Sequence, residues 1–309
     1  MIVDVHTHLF GENLTPRNWE NIMAEYGGRM ANRPVDLVSQ RMREDWYDES
    51  GDLLVQDMDE AGIEKSVVLG LDLSIFSGVD DDVSLVTRYE IMHRAVLRHP
   101  DRLIFYGGID PRRPDALRLI DRALEEWDMR GVKIWPPAGI RPDAAACYRV
   151  YERCERASIP VVVHTGHELG PFSSYPTRPI LCDQVAADFP DLTLILAHAG
   201  MGWWEEAAHT AAAHANVYLD IAYWQQKYLK SPRLFAEQLR YTIDIAGRGR
   251  VLFGSDWPAF RQVRRVKPDV WIELLRGMSA EPLEGVLLNE EEVSSLLGEN
   301  ANRLLALGL

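Results

Sequence analysis

The chain opens with Ile2-Val3-Asp4-Val5-His6-Thr7-His8. Its β-branched residues favour an extended strand, and two histidines stand at the strand's far end. The same form, a short β-branched or apolar run, returns at Ser66–Asp72, Leu103–Asp110, Gly131–Trp135, Val161–Thr165, Leu192–His198, Val217–Ile221 and Val251–Asp256. With Ile2–His8 these runs predict eight strands. Helical patterns lie between them, as at Asp115–Trp127, Ala144–Ala157 and Arg178–Asp188. Strands alternating with helices form parallel βαβ units. Eight such units in about 250 residues predict an α/β fold, a (β/α)8 TIM-like barrel forming one domain over 1–309. A Rossmann-type sheet is the alternative, and no Gly-x-Gly-x-x-Gly follows any of the runs.

Composition agrees with a globular chain. Of 309 residues 47% are hydrophobic and 26% charged, enough apolar material to offset chain entropy. The 33 Lys+Arg against 47 Asp+Glu leave a net charge of −14, the wrong sign for nucleic acid or an anionic membrane surface. No apolar stretch reaches the roughly 18 residues of a membrane span. Three cysteines are too few and scattered for a disulfide framework, and Cys147 and Cys154 share a helix face as small buried hydrophobes. The start shows no basic segment leading into an apolar one, as a mature cytoplasmic protein would.

One connection breaks the rhythm. Nearly sixty residues, 9–65, follow the first run and carry Trp19, Tyr26, Trp46 and Tyr47. A long insertion there sits over the strands' C-terminal face, as a lid or as an interface between subunits. At the other end, Glu290–Leu297 and Glu299–Leu307 read as two short helices closing the barrel.

The chemistry is positional. His6 and His8 end strand 1, His164 ends strand 5, His198 ends strand 6 and Asp256 ends strand 8. In a barrel these ends meet at one rim, where active sites lie. Alternation puts Asp4, His6 and His8 on one face, the histidines about 7 Å apart along the strand, within reach of one ion. Taken singly, His164 and His198 can be hydrogen-bonded core residues and Asp256 a helix cap. Together at matching strand ends they read as one metal centre. Lys133, in the fourth strand, is costly to bury unpaired. It can pair with Asp4 or Asp256, react with CO2 to give a bridging carbamate, or extend to solvent. His93, His99, His209 and His214 fall in helical stretches and read as surface or packing residues.

Read together, Asp4-Val5-His6-Thr7-His8, Gly131-Val132-Lys133-Ile134, Val163-His164-Thr165, Ala197-His198-Ala199-Gly200, Phe253-Gly254-Ser255-Asp256-Trp257-Pro258 and the closing Gly298-Glu299-Asn300-Ala301-Asn302-Arg303-Leu304 resemble the amidohydrolase superfamily. More narrowly they resemble its amidohydrolase-related branch, which includes the aminocarboxymuconate-semialdehyde decarboxylases. The resemblance spans essentially the whole chain. It implies one or two divalent ions, zinc or else manganese, held by His6, His8, His164 and Asp256. In two-metal hydrolases of the superfamily Lys133 would be carboxylated and His198 a ligand. In one-metal decarboxylases His198 would be catalytic or hold the ligands, and a lysine at position 133 is uncommon. The resemblance also implies a homodimer.

Two reactions follow. A hydrolase of a small cyclic or aromatic amide, ester or lactone would use a metal-activated water, with Asp256 as general base and His198 beside the developing oxyanion. A non-oxidative decarboxylase of an aromatic or muconate-like acid would use nearly the same ligands. A barrel kept only for binding or assembly is disfavoured, because every expected ligand position is filled. Aromatic and polar loop residues suggest a small, flat substrate. Trp135, His167, Arg178, Trp203 and Trp257 are the candidates to bind it, with Arg178 or Arg261 as a carboxylate clamp.

Overall fold

A computed structural model of the chain describes residues 1–73, 75 and 83–309, the side chains of 17, 18 and 31 aside. Eight parallel strands follow one another in sequence order: β1 Val3–Thr7, β2 Lys65–Leu69, β3 Leu103–Gly108, β4 Gly131–Ile134, β5 Val161–His164, β6 Leu194–Ala197, β7 Val217–Asp220 and β8 Val251–Leu252. Beyond β8 the backbone still pairs with β1: Val5 N–H donates to Phe253 (3.0 Å), Asp256 N–H to His6 (2.9 Å) and His8 N–H to Trp257 (2.8 Å). These bonds bring the first and last strands together into a nearly closed (β/α)8 barrel.

Both faces of the strands are buried, which is why they read as continuous apolar runs. Val132, Ile134, Val161, Val163, Leu194 and Leu196 belong to the large core shared with the surrounding helices. Val3, Val5, Val67, Leu69, Val162, Ile195, Ala197 and Leu252 form a second, inner cluster. The tail closes that cluster at the strands' N-terminal end through Ala301, Leu304, Leu305 and Leu307. It is one helical run rather than two helices: Glu290–Ser294, a π-turn Ser295–Glu299, then Asn300–Leu305. Gly298 lies in that turn because a Cβ there would sit 2.8 Å from the Met1 carbonyl oxygen. The expected helix Arg178–Asp188 is also different. Pro176 and Pro179 start the 3-10 turns Tyr175–Thr177 and Pro179–Cys182, and only Asp183–Asp188 is α-helical. All three cysteines are buried and unpaired in disulfides.

The stretch 9–65 divides in two. Helices α1 (Arg17–Ala31) and α2 (Val35–Trp46) pack as a hairpin, turned by Asn32 at φ 51°. Glu20 clasps them: its buried carboxylate accepts from Ser39 Oγ and Arg43 Nε (2.7 Å each) and from Tyr47 Oη (2.5 Å). Helix α3 (Asp52–Ala61) is an ordinary outer helix of the barrel, packed on Pro268–Gly277. Only the part before α3 is therefore an addition to the barrel. No helix among the described residues is long and apolar enough to cross a membrane.

Candidate metal centre

The site gathers where β1, β7 and β8 end. Facing β2, β1 does not keep strict alternation. Asp4 pairs with Ser66 and Thr7 with Val68, so three steps on β1 span two on β2. This bulge overturns the expected common face of Asp4, His6 and His8. The Asp4 carboxylate instead accepts the backbone N–H groups of His6 (3.1 Å) and Ser255 (3.0 Å). It tethers β1 to the segment after β8, and burial pushes its pKa up to about 7.

His6 and His8 point their Nε2 atoms at each other, 3.2 Å apart. Asp256 Oδ1 lies 3.3 Å from the first and 3.6 Å from the second. The other ring nitrogen of each histidine is taken: His6 Nδ1 meets Asp220 Oδ2 at 3.0 Å, and His8 Nδ1 meets the Leu69 carbonyl at 2.8 Å. Such acceptors place the proton on Nδ1 and leave the Nε2 lone pair free. Burial also holds both rings neutral. His8 is lowered to about 3, with Lys133 adding to the effect, and His6 falls well below its usual value. Two lone pairs facing each other at 3.2 Å, with a carboxylate beside them, repel unless a cation lies between. The donor set of two imidazoles and one carboxylate therefore fits a divalent ion, which His6, His8 and Asp256 would hold.

His6, His198 and Asp220 form a second close group, but its atoms are already engaged. Asp220 Oδ2 takes His6 Nδ1, while Oδ1 accepts the N–H groups of His198 (2.9 Å) and Ala222 (3.0 Å). This group is a hydrogen-bonded brace behind the first. Asp220 was not foreseen, although a carboxylate closing the apolar run Val217-Tyr218-Leu219 was the available signal. His198 Nδ1 meets the Ala222 carbonyl at 3.1 Å, and its Nε2 lies 3.2 Å from His164 Nδ1. His164 belongs to neither close group; its Nε2 is 3.0 Å from Glu168 Oε1 but outside hydrogen-bond geometry.

Backbone conformation concentrates here as well. His198 (φ 61°), Ala199 (42°), Tyr223 (68°) and Asp256 (57°) all take the left-handed region just past β6, β7 and β8. Each such residue costs on the order of 1 kcal/mol and persists because the surroundings fix it. Trp224 Nε1, for example, donates to the His198 carbonyl at 2.7 Å.

Lys133 is 1% exposed, and its Nζ has no hydrogen-bond partner. Neither the expected ion pair with Asp4 or Asp256 nor an extension to solvent is found. Burial lowers its pKa to about 8, against the opposing pull of Asp220, Asp256 and Glu168. Burial likewise raises Asp256 to about 7, with Lys133 opposing.

These groups floor a cavity of about 370 Å³. Phe10, Trp19, Met23, Met30 and Trp46 of the insertion, with Trp135, Tyr223 and Phe260, wall it; His167, Glu168, Gln226 and Lys230 add polar groups. Of the expected substrate-binding residues, Trp135 and His167 line the cavity. Arg178, Trp203 and Trp257 do not, nor does Arg261. Arg178 pairs with Glu206 and lies over Trp203, which stacks on His167 at 3.9 Å. Trp257 Nε1 and Arg261 Nε both donate to Asp57 Oδ2, at 2.8 and 2.6 Å. A carboxylate of the protein already occupies each arginine. Of the remaining histidines, His99 and His214 contact Asp52 and Asp183, and His209 contacts Tyr241.

No curated protein matches the chain. Among solved structures it is similar to an uncharacterised TIM-barrel protein from Bordetella bronchiseptica, at 24% identity over 99% of this chain and 98% of that one, TM-score 0.70. A dihydroxybenzoic acid decarboxylase from Polaromonas sp. JS666, solved with manganese and 2-nitroresorcinol, is 17% identical over 100% and 97%, TM-score 0.69. 4-Oxalomesaconate hydratase from Rhodopseudomonas palustris is 16% identical over 99% and 96%, TM-score 0.65. At these identities the likeness is one of fold. The sequence profile of the amidohydrolase family matches residues 3–307, and with that match across the barrel and its rim the chain belongs to the amidohydrolase family.

Proposed function

We propose that the protein is a metal-dependent hydrolase of a small, flat, cyclic amide, ester or lactone bearing a carboxylate. One observation carries the reading: a buried carboxylate, Asp256, and an unpartnered buried ammonium, Lys133, share one cavity floor beside the ligand set. His6, His8 and Asp256 would hold a divalent ion, zinc or manganese, which would supply Lewis acidity toward a water or a carbonyl. Asp256 takes a proton from the attacking water and returns it to the leaving group. Lys133 holds the negative charge that the substrate brings or develops. Trp135 and Tyr223 wall a planar ring, and the helical hairpin of the insertion acts as a lid that limits bulk water.

Non-oxidative decarboxylation is the second reading. The manganese-bound dihydroxybenzoic acid decarboxylase of similar fold favours it, as does the resemblance to the decarboxylase-like branch. It needs only the second half of the proton cycle, delivery to carbon. Because the second close group of side chains is tied up in hydrogen bonds, both readings use one ion.

The test pairs elemental analysis of protein purified without chelators with two substrate panels. One ion per chain and ring opening of a carboxylated lactone or cyclic amide is the expected result. Release of CO2 from a benzoate panel without ring opening overturns the hydrolase in favour of the decarboxylase. Two ions per chain would instead mean a carboxylated Lys133 and a bridged centre.

A further inference from the structure

The chain has five lysines, and four of them have ordinary surroundings. Lys65 Nζ donates to the Asp101 carbonyl and Lys227 Nζ to Gln238 Oε1, each at 2.8 Å. Lys267 pairs with Asp269 at 2.8 Å, and Lys230 is exposed to solvent. Lys133 differs from all of them: it is 1% exposed, and among the described residues its Nζ has no hydrogen-bond partner. The register gives the reason. Its neighbour on β3 is Gly108, which has no side chain, and its neighbour on β5 is Val162, which is apolar. The carboxylates whose charge reaches it are taken. Asp220 is held by His6 and two backbone N–H groups, Glu168 by His164 and the N–H of Leu169, and Asp256 faces the ligand histidines.

An amine in such a place is more easily left uncharged than charged. Burial lowers Lys133 to about 8, so near pH 8 about half of it is free amine, against about 0.4% of an ordinary lysine. A free amine is a nucleophile toward carbonyl carbon. Lys133 lines the cavity of about 370 Å³, whose walls include Trp135, Tyr223, Phe10 and Phe260. Such walls suit a flat ring.

We infer that the cavity has a covalent function as well: Lys133 binds aldehydes and ketones borne on an aromatic ring as reversible imines. The Nζ lone pair attacks the carbonyl carbon, the proton shed by nitrogen goes to the carbonyl oxygen, and a carbinolamine forms. The C–O bond then breaks as the nitrogen lone pair closes the C=N bond, and water leaves. Amine and carbonyl become imine and one water, with no oxidant or reductant. Glu168 and Asp256 line the same cavity and pass protons between nitrogen and oxygen. The covalent site shares the cavity of the proposed hydrolase but not its reaction.

Reductive trapping is the test. Manganese-loaded protein is incubated at about pH 8 with benzaldehyde and cyanoborohydride, whose hydride fixes an imine as a benzylamine. The labelled residue is then located by peptide mass mapping. Lys133 is expected to be labelled at least about tenfold faster than Lys65, Lys230 or Lys267, because far more of it is free amine. Benzoate, which fills the same cavity and forms no imine, should slow labelling of Lys133 and leave that of the other three unchanged. In the chain unfolded in urea the preference for Lys133 should vanish. Labelling that falls on the other lysines and spares Lys133, as a carbamate there would make it do, overturns the inference. So does labelling of Lys133 that benzoate does not slow. If Lys133 is trapped while no lactone or amide is opened, the covalent site stands and the hydrolase reading falls. Ring opening with Lys133 spared has the reverse meaning.

Discussion

The two sides of the barrel mouth are finished differently. Toward β1, β7 and β8, the ring nitrogens of His6, His8 and His198 that face away from the centre each have an acceptor: Asp220, the Leu69 carbonyl and the Ala222 carbonyl. Toward β4 and β5, Lys133 Nζ is buried without one, and His164 Nε2 has only the Glu168 carboxylate, at 3.0 Å, beside it. An unmade hydrogen bond to a buried polar group costs about 1–3 kcal/mol, more when the group is charged. The first side is therefore settled before any ligand arrives, its lone pairs aimed by the protein. The second is left unsatisfied, which is where an incoming anion gains most. On the proposed reading, an ion belongs to the finished side and a substrate to the unfinished one.

The largest expected effect comes from the group that serves both. Asp256→Asn keeps the shape and removes the proton acceptor, so turnover of a verified substrate should fall by about 10³-fold or more. Its circular dichroism and melting profile should stay close to wild type. Wild-type turnover in this variant would break the assignment of Asp256.

Asp220→Asn probes the finished side from behind. The amide can hold its place but exchanges an accepting oxygen for a donor and loses the charge that fixes the His6 tautomer. Outer partners of this kind contribute about 10–100-fold to ion affinity. Manganese or zinc titration should show a loss in that range, whereas Glu168→Gln, on the unfinished side, should change ion affinity by less than about threefold.

Ion affinity should also carry a particular pH dependence. An imidazole whose folded pKa is pushed down has already shed its proton near neutrality, as His6 and His8 have. Asp256, pushed up to about 7 by burial, has not. Below pH 7 an ion must therefore displace one proton, from Asp256, so affinity should fall about tenfold per pH unit between 7 and 5. Calorimetry in buffers of different ionisation enthalpy should count close to one proton released per ion. A count near three would mean that the histidines are protonated and that the finished side is not preset.

Much of this asymmetry was legible before folding was considered, because strand ends in a barrel converge whatever the details of packing. His6, His8, His198 and Asp256 could be brought together on that ground alone. What stayed hidden depends on distant partners. Arg178 follows a rim strand, but Glu206, 28 residues on, turns it away from the cavity. Trp257 sits next to Asp256 in sequence, yet its indole is claimed by Asp57, 200 residues earlier. The bulge in β1 exists only in register with β2, so no reading of β1 alone finds it. Asp220 had a signal, an acid inside an apolar run, whose meaning depends on a histidine 214 residues away.

The smallest effect is the most discriminating for the unfinished side. Lys133→Met replaces a buried ammonium by an apolar chain of similar length. Burial lowers the lysine from 10.5 to about 8, so at pH 7 it remains charged in the fold and destabilises it by roughly 3 kcal/mol relative to an unshifted lysine. The sign follows from the depressed pKa. The penalty is full below pH 8 and fades as pH rises from 8 toward 10.5, where the unfolded chain would also lose the proton. Metal-free Lys133→Met should therefore melt a few degrees above wild type at pH 7, since 1 kcal/mol is worth about 1.5 °C for 309 residues. That gap should narrow by pH 10. The gain in stability should come with a loss of about tenfold in benzoate affinity of the manganese-loaded protein. A melting temperature that falls at pH 7 would mean that Lys133 has a partner in solution, as a carbamate does, and the two sides of the mouth would then be equally complete.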